Sequence, residues 1–404
     1  MPASPLPPAF RRLAWSNLLA QSAEQIGLAA APIVAVLAFG AGAAETGWLL
    51  TVQTLPFLLL AIPAGLLADR LPRPGLMAAA ELLRTLSLLG ILLCAGLELL
   101  SLPLLAMLGF IGAAGTVAYT VSAPALVPAL VPRTALAVAN GRIELARTVA
   151  FAGGPALAGI LVGWTGAGPA FAVAATLSLA AALLLTGLRE PPRSHMPKRH
   201  PLLDLQEGLA FALRHPLLLP VLLTQVIFNT AFFILQAAYV PYAMAHLGLD
   251  AAGIGITLGL YGIGMVAGAL PAARIMGLLP MGMVIVIGPL AGLAAALVMV
   301  LTIWLPSPML AGLSFFLLGA GPVIWVISTT TLRQTVTPEH MLGRVSALAM
   351  MASGFRPVGA AIGALVGGLY GMEACLVAAA AGFLLQAAII LASPVPRLAR
   401  LAPA

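Results

Sequence analysis

Charge is what this sequence has least of. Asp, Glu, Lys and Arg make up 8% of its 404 residues, against roughly a quarter in soluble domains, which excludes a soluble enzyme or binding module. Cysteine is nearly absent: Cys94 and Cys375 lie in or beside apolar runs far apart in sequence, and read as buried, unpaired thiols. The histidines, His195, His200, His215, His246 and His340, fall in loops or at expected helix ends. They form no paired Cys/His spacing, so no metal site is expected. No Gly-x-x-x-x-Gly-Lys-Ser/Thr phosphate loop and no serine nucleophile elbow occur, which argues against an ATP-driven pump encoded in this chain and against an intramembrane enzyme. The expectation is a non-enzyme with no cofactor other than a proton gradient.

What is there is apolar: 61% of the residues are hydrophobic. Apolar segments run at 13–39, 46–68, 75–97, 102–130, 136–163, 169–188, 217–246, 252–274, 281–304, 309–332, 345–369 and 373–392. Each is near the ~20 residues a spanning helix needs, without the short alternation of an outer-membrane barrel. Glycine and proline punctuate the breaks, at Gly40 to Gly47, Pro72 and Pro74, Pro103, Gly166 to Pro169, Pro306 and Pro308, and Gly371. At the amino end, Arg11-Arg12, an apolar run and Ala41-Gly-Ala43 imitate a secretory signal. The run is too long for one, and it carries Glu24.

The chain carries 19 Lys and Arg against 12 Asp and Glu. The basic residues are dispersed among loops, with no basic helix, so orientation in a membrane explains them better than nucleic acid does. Arg11, Arg12, Arg70, Arg73, Arg133, the group from Arg189 to Arg214, Arg274, Arg333, Arg344, Arg397 and Arg400 fall on one side of the twelve-span arrangement. The opposite loops hold Glu45, Glu98, Asp250 and Glu373. Both termini and the longest loop are therefore expected in the cytoplasm of a multi-pass inner-membrane protein. That loop divides the chain into residues 1–188, a linker at 189–215 and residues 216–404. Within the linker, Leu205, Leu209, Phe211 and Leu213 alternate with Gln206, Glu207 and Arg214, which reads either as an amphipathic helix on the inner surface or as a tether.

The halves echo one another. Gly141-Arg142-Ile143 and Gly343-Arg344-Val345 stand about 200 residues apart and are followed at the same interval by Pro155 and Pro357, the weak repeat expected of a transporter built from two equivalent bundles. The fold expected is all-α: twelve transmembrane helices in two pseudo-symmetric six-helix bundles.

With these residues in hand, the chain resembles the major facilitator superfamily over essentially its whole length. Gly65-x-x-x-Asp69-Arg70-x-x-Arg73 matches that family's loop between helices 2 and 3. Gly154-Pro155-x-x-x-Gly159 is similar to the antiporter motif of its exporting branches, with Ala158 where a glycine usually stands. Leu126-Val-Pro128, Ala139-Asn140 and Pro338 to Val345 look like the branch that holds the enterobactin exporter and macrolide-type drug:proton antiporters. The resemblance implies alternating access, with Asp69 latching onto the start of helix 11 around Gly343 and Arg344, flanked by Arg70, Arg73 and Arg133. A carboxylate there is favoured by the helix dipole by ~0.3–2 kcal/mol.

Charges inside the apolar runs point to chemistry. Glu24, roughly 16 Å along the first span, is a candidate proton-coupling group, or else a fixed ion-pair partner. Gln21 and Gln25 make its face polar. Glu144 and Arg147 share a face of the fifth span and either neutralise each other or lend Arg147 to Glu24. Glu81 and Arg84 are expected near the cytoplasmic face, in a structural role. Arg356 either holds an acidic substrate group or bonds carbonyls freed by Pro357. Tyr119, Gln225, Asn229, Gln236 and Trp325 complete the candidate substrate contacts, with Tyr239 and Tyr242 as cavity or interfacial residues. Two functions remain open: a proton-coupled exporter of small amphipathic molecules such as drugs or siderophores, acting as a monomer without nucleic-acid partners, and an importer or non-transporting receptor of the same fold.

Overall fold

A computed structural model describes residues 7–132, 135–191, 201–338 and 341–399. Helix is the only regular structure among them: α1 (Pro8–Phe39), α2 (Ala43–Leu59), α3 (Ala61–Arg70), α4 (Arg73–Gly96), α5 (Leu102–Leu130), α6 (Leu136–Thr165), α7 (Ala167–Leu185), α8 (Pro201–Arg214), α9 (Leu218–Ala245), α10 (Ala251–Leu278), α11 (Met281–Leu301), α12 (Pro308–Val336), α13 (Leu342–Ser353), α14 (Arg356–Tyr370) and α15 (Met372–Ala392), then one 3-10 turn at Val395–Arg397. Among the described residues 11 helical segments are long and apolar enough to cross a membrane, and α2 with α3, bent by 44°, makes a twelfth. In hydrocarbon a helix satisfies its own backbone polar groups, which is why so apolar a chain takes this form throughout.

Two apolar segments are interrupted. The second span bends at Leu60, between α2 and α3. The eleventh breaks between α13 and α14 at Gly354 and Phe355, just before Arg356-Pro357. Pro357 lacks the amide that would bond back across the break and sits in the first turn of the new helix, the one place where that loss costs little.

The described residues form two compact units. One comprises residues up to Ala41 together with Leu49–Ser194 and Leu249–Gly259; the other comprises Gly42–Trp48, His195–Gly248 and Leu260–Ala404. In the first, α1 packs on α6 and α7, and α4 on α5 and α7, around Phe10, Leu13, Met77, Tyr119 and Leu126, all almost fully buried. In the second, α9 packs on α14 and α15, and α11 on α12 and α15, around Val221, Ile285, Trp325, Leu332 and Ile390.

Packing among these helices relies on small residues, since leucine gains little by leaving lipid for another helix. In the second unit a side chain at Gly319 would run into the backbone of Tyr261 and lie 2.8 Å from the Met265 nitrogen, so α10 and α12 touch main chain to main chain. Large side chains point outward instead: Leu86, Leu93, Leu183 and Leu270 are all at least 60% exposed. Trp164, Trp304 and Tyr370 stand exposed at or just beyond helix ends on the loops without Lys or Arg, where amphipathic rings settle at a membrane boundary. Tyr239 and Tyr242 are not of that kind. Both are fully buried, Tyr239 edge-on to Phe315 at 4.5 Å and Tyr242 hydrogen-bonded to Thr302 at 2.9 Å.

From Pro201 to Arg214 the linker is helical. One side of α8 lies against α13: Glu207 pairs with Arg344, and a Cβ at Gly208 would come within 2.9 Å of the Arg344 Cβ. At its end the His215 ring, 5.6 Å from that of Phe211, accepts at Nδ1 from the Leu217 and Leu218 amides at 3.2 and 3.4 Å, satisfying donors that begin α9. Burial holds the His215 pKa below its ordinary value.

Candidate functional site

The site builds up around a carboxylate in the middle of a helix. Glu24 is near the centre of the 32-residue α1, on the wall of a cavity of about 60 Å³ in the first unit. Arg84 and Ser87 of α4, Gln53 of α2 and Thr116 of α5 line it too, with Phe57, Leu88, Ile91 and Phe171 as its apolar wall. Drug-sized sites run from about 300 Å³. This cavity accommodates a proton and a few waters, not a bulky ligand.

Arg84 is nearly fully buried and Glu81 wholly so. One guanidinium nitrogen lies 3.0 and 3.1 Å from the two Glu81 carboxylate oxygens and donates to the Ala20 carbonyl at 2.9 Å, while the other donates to Thr116 Oγ1 at 2.6 Å. Ser178 donates to Glu81 at 2.7 Å. The pair thus ties α4 to α1, α5 and α7. Arg84 is about 16 Å along α4 at 1.5 Å per residue. Glu24 is close enough for its charge to act on Glu81. Two carboxylates and a guanidinium therefore share one poorly hydrated region, where charges interact far more strongly than in water.

Gln53 had no signal in the sequence beyond being a polar residue in an apolar run. It is 4% exposed, and its Oε1 has no hydrogen-bond partner among the described residues. A Cβ at Gly109 would lie 2.5 Å from the Gln53 amide nitrogen, so this glycine leaves room for the side chain.

Glu144 and Arg147 do bond to each other, at 3.0 and 3.2 Å through Arg147 Nε, and Arg147 also lies over the Phe151 ring at 5.6 Å. Gln25 is buried beneath α6, where a Cβ at Gly154 would lie 2.5 Å from the Gln25 Cβ. Gln21 is half-buried on α1. Tyr119, expected to contact substrate, instead belongs to the core of the first unit, 1% exposed and 3.2 Å from the Ser16 hydroxyl.

The motif in α6 is a close-packing device. A side chain at Gly159 would strike the Ala251 carbonyl and approach Gly255 Cα to 2.8 Å, and one at Gly255 would lie 2.5 Å from the carbonyl of Pro155. The start of α10 rests on the α6 backbone at this point, within the first unit.

In the second unit the polar candidates divide. Gln225 donates to the Ala349 carbonyl at 3.0 Å and to Ser353 at 2.8 Å, bracing α9 against α13, whereas Asn229 donates to the Gln225 carbonyl one turn back on its own helix. Gln236 is half-buried on α9. Trp325 is 3% exposed within the core, with an indole nitrogen that bonds to no described residue. Phe228 touches it at 5.9 Å and stacks on Phe232 at 6.0 Å; Phe232 meets Phe233, over which Arg356 lies at 5.9 Å. This aromatic row was not apparent from the sequence, although Phe228 and Phe232, four residues apart, share a helix face.

Around Gly65 the described side chains make local contacts. Arg70 is exposed. Arg73 donates to Glu190 at 2.9 Å and to the Ala125 carbonyl at 3.0 Å, pinning the start of α4 to α5 and to the segment after α7. A Cβ at Gly65 would meet only Val121, at 3.9 Å, so this glycine is not held open by a neighbouring backbone among the described residues. Arg344 engages Glu207 of α8. The Asp69 side chain and Arg133 lie outside the described residues.

Comparison with known proteins follows this geometry. The family model described as Major Facilitator Superfamily matches residues 13–364. Similar solved structures include a bacterial homologue of the human lysosomal transporter Spinster, with 18% identity, 98% of this chain and 99% of that chain covered, and a TM-score of 0.72. The nucleoside transporter NupG shows 13% identity, coverage of 95% and 99% and a TM-score of 0.75. A bacterial homologue of the iron transporter ferroportin shows 16% identity, coverage of 95% and 98% and a TM-score of 0.74. No curated protein matches the sequence. Such low identities establish the fold alone, but the family match spans most of the chain: it is a multi-pass, all-α membrane protein and belongs to the Major Facilitator Superfamily.

Proposed function

We propose that this chain is a secondary active transporter that exports small amphipathic molecules in exchange for protons, by alternating access, with Glu24 as the proton-exchanging group. The observation that carries the reading is the placement of Glu24 on a small cavity in mid-helix, beside the buried Glu81–Arg84 pair. A proton on Glu24 removes its repulsion with Glu81. Its loss restores a negative charge that must be compensated by Arg84, by another cation or by movement of the helix. Either state changes how α1 is held against α4, which is what coupling requires.

Export as the direction is supported by the antiporter-like segment Gly154-Pro155-x-x-x-Gly159, in which Gly154 packs on Gln25 of α1 and Gly159 lets the start of α10 meet the α6 backbone. The aromatic row from Phe228 to Phe233, close to Arg356, suits flat, partly apolar substrates. Asp69 and Arg133 are proposed, with Gly65, Arg70, Arg73 and Arg344, as parts of a cytoplasmic gate, Arg73 and Arg344 being held in reserve by Glu190 and Glu207. Cytoplasmic termini and an inner-membrane location complete the proposal, from the segregation of Arg and Lys.

Everted membrane vesicles with an acid interior, given a panel of amphipathic fluorescent dyes in the outer medium, test this. The expected result is dye accumulation that a protonophore abolishes and that Glu24→Gln loses. Accumulation with unchanged pH dependence in Glu24→Gln would rule out Glu24 as the coupling group, and dye uptake driven in the opposite sense would make the protein an importer.

A further inference from the structure

A second charged feature lies away from Glu24, in the first turns of α1. Arg11 and Arg12 line a groove of about 240 Å³ together with Pro8, Trp15 and Leu184 of α7. Both arginines are exposed, and neither forms an ion pair with a described residue. Trp15 is 58% exposed, its indole free to donate from the groove wall, and Leu183 beside Leu184 is 60% exposed.

The sequence near the groove offers these cations no counter-charge. Residues 1–10 contain no Asp or Glu, and the segment 191–200 contains only Arg193, Lys198 and Arg199 as charged groups. Glu190, the acid nearest in sequence to the end of α7, is held by Arg73 at 2.9 Å. Among the described residues no carboxylate pairs with Arg11 or Arg12, which leaves both open to an anion from outside the chain.

We propose that this groove binds the phosphate of an anionic phospholipid. The two guanidinia and the Trp15 indole offer donors to phosphate oxygens, and guanidinium geometry suits two of them at once. Trp15, Leu183 and Leu184 offer the apolar surface along which acyl chains lie, a combination that free phosphate would not use and a lipid would. The site is independent of Glu24 and of the proton reading.

Native mass spectrometry of the detergent-solubilised protein, with equal phosphatidylglycerol and phosphatidylcholine, reads it directly. The expected outcome is preferential retention of phosphatidylglycerol, falling about 5-fold when one arginine is neutralised and about 30-fold in Arg11→Gln/Arg12→Gln. Arg11→Lys/Arg12→Lys should keep most of the preference, showing that charge and not misfolding is read, and millimolar inorganic phosphate should not displace the lipid. Equal retention of both lipids, an unchanged preference in the double Gln variant, or displacement by inorganic phosphate alone would each overturn the proposal.

Discussion

At the scale of single residues, the decisive feature is that Glu81 and Arg84 are buried together and depend on one another. Removing one member of such a pair strands a charge, at a cost of ~3–5 kcal/mol, whereas replacing both with apolar residues is often close to neutral. Glu81→Ala is therefore expected to lower the thermal unfolding temperature in detergent markedly, and Glu81→Met/Arg84→Met to restore most of it. A single variant no less stable than the parent would show that the pair does not hold the helices. A different titration acts at His215, whose Nδ1 serves the α9 amides only when unprotonated. Its pKa is lowered on folding from 6.5, so the unfolded chain binds the proton more readily. This contribution is complete above pH 6.5 and is lost as the pH falls below it. His215→Ala should cost ~1–2 kcal/mol at pH 8 and progressively less toward pH 5, measured as the difference in unfolding midpoint between variant and parent. A pH-independent difference would rule out this account.

At the scale of elements, α6 shows how two neighbouring glycines can differ entirely. Gly159 faces the backbone of α10, while a Cβ at Gly153 would meet nothing within 4 Å. Gly159→Val should overpack the crossing by ~1–3 kcal/mol, and Gly153→Ala should be tolerated or gain ~0.5–1 kcal/mol through helix propensity. Comparing the yield and thermal stability of the two purified variants checks this, and equal effects would sink it. The helices themselves were legible in the sequence, because an apolar run of this length has few alternatives. The break before Arg356-Pro357 and the helix at 201–214 were also foreshadowed, by a proline and by an amphipathic pattern. Burial of Tyr119, Tyr239 and Tyr242 was not. Which face of an all-apolar helix meets protein and which meets lipid leaves almost no trace in hydrophobicity, so tyrosines read as cavity or belt residues proved to be core. Gln53 escaped notice for the same reason.

At the scale of the whole molecule, composition and the alternation of Arg and Lys carried most of the information. The helical architecture agrees with what composition implied, and the family match with the resemblance carried by the motifs around Gly65 and Gly154. Orientation is open to direct measurement: in a cysteine-free background, Ser101→Cys should react with an impermeant maleimide added to intact cells, and Arg214→Cys only after permeabilisation. The reverse pattern would invert the assignment of both ends. Neither the small residues at helix crossings nor the partners of Arg73 and Arg344 could be paired from sequence, since contacts between distant segments depend on register and not on composition.

Two helices are shared out unevenly. The first turns of α2, Gly42–Trp48, cluster with residues 260–404, and a Cβ at Gly47 would lie 2.7 Å from the Ala364 backbone; the first turns of α10, Leu249–Gly259, cluster with residues 49–194. Severing the polypeptide in its linker would consequently deprive each product of a piece encoded in the other. Such fragments should be degraded when made singly and accumulate when made together, a lend-and-borrow arrangement that ties the production of each half to the presence of its sibling.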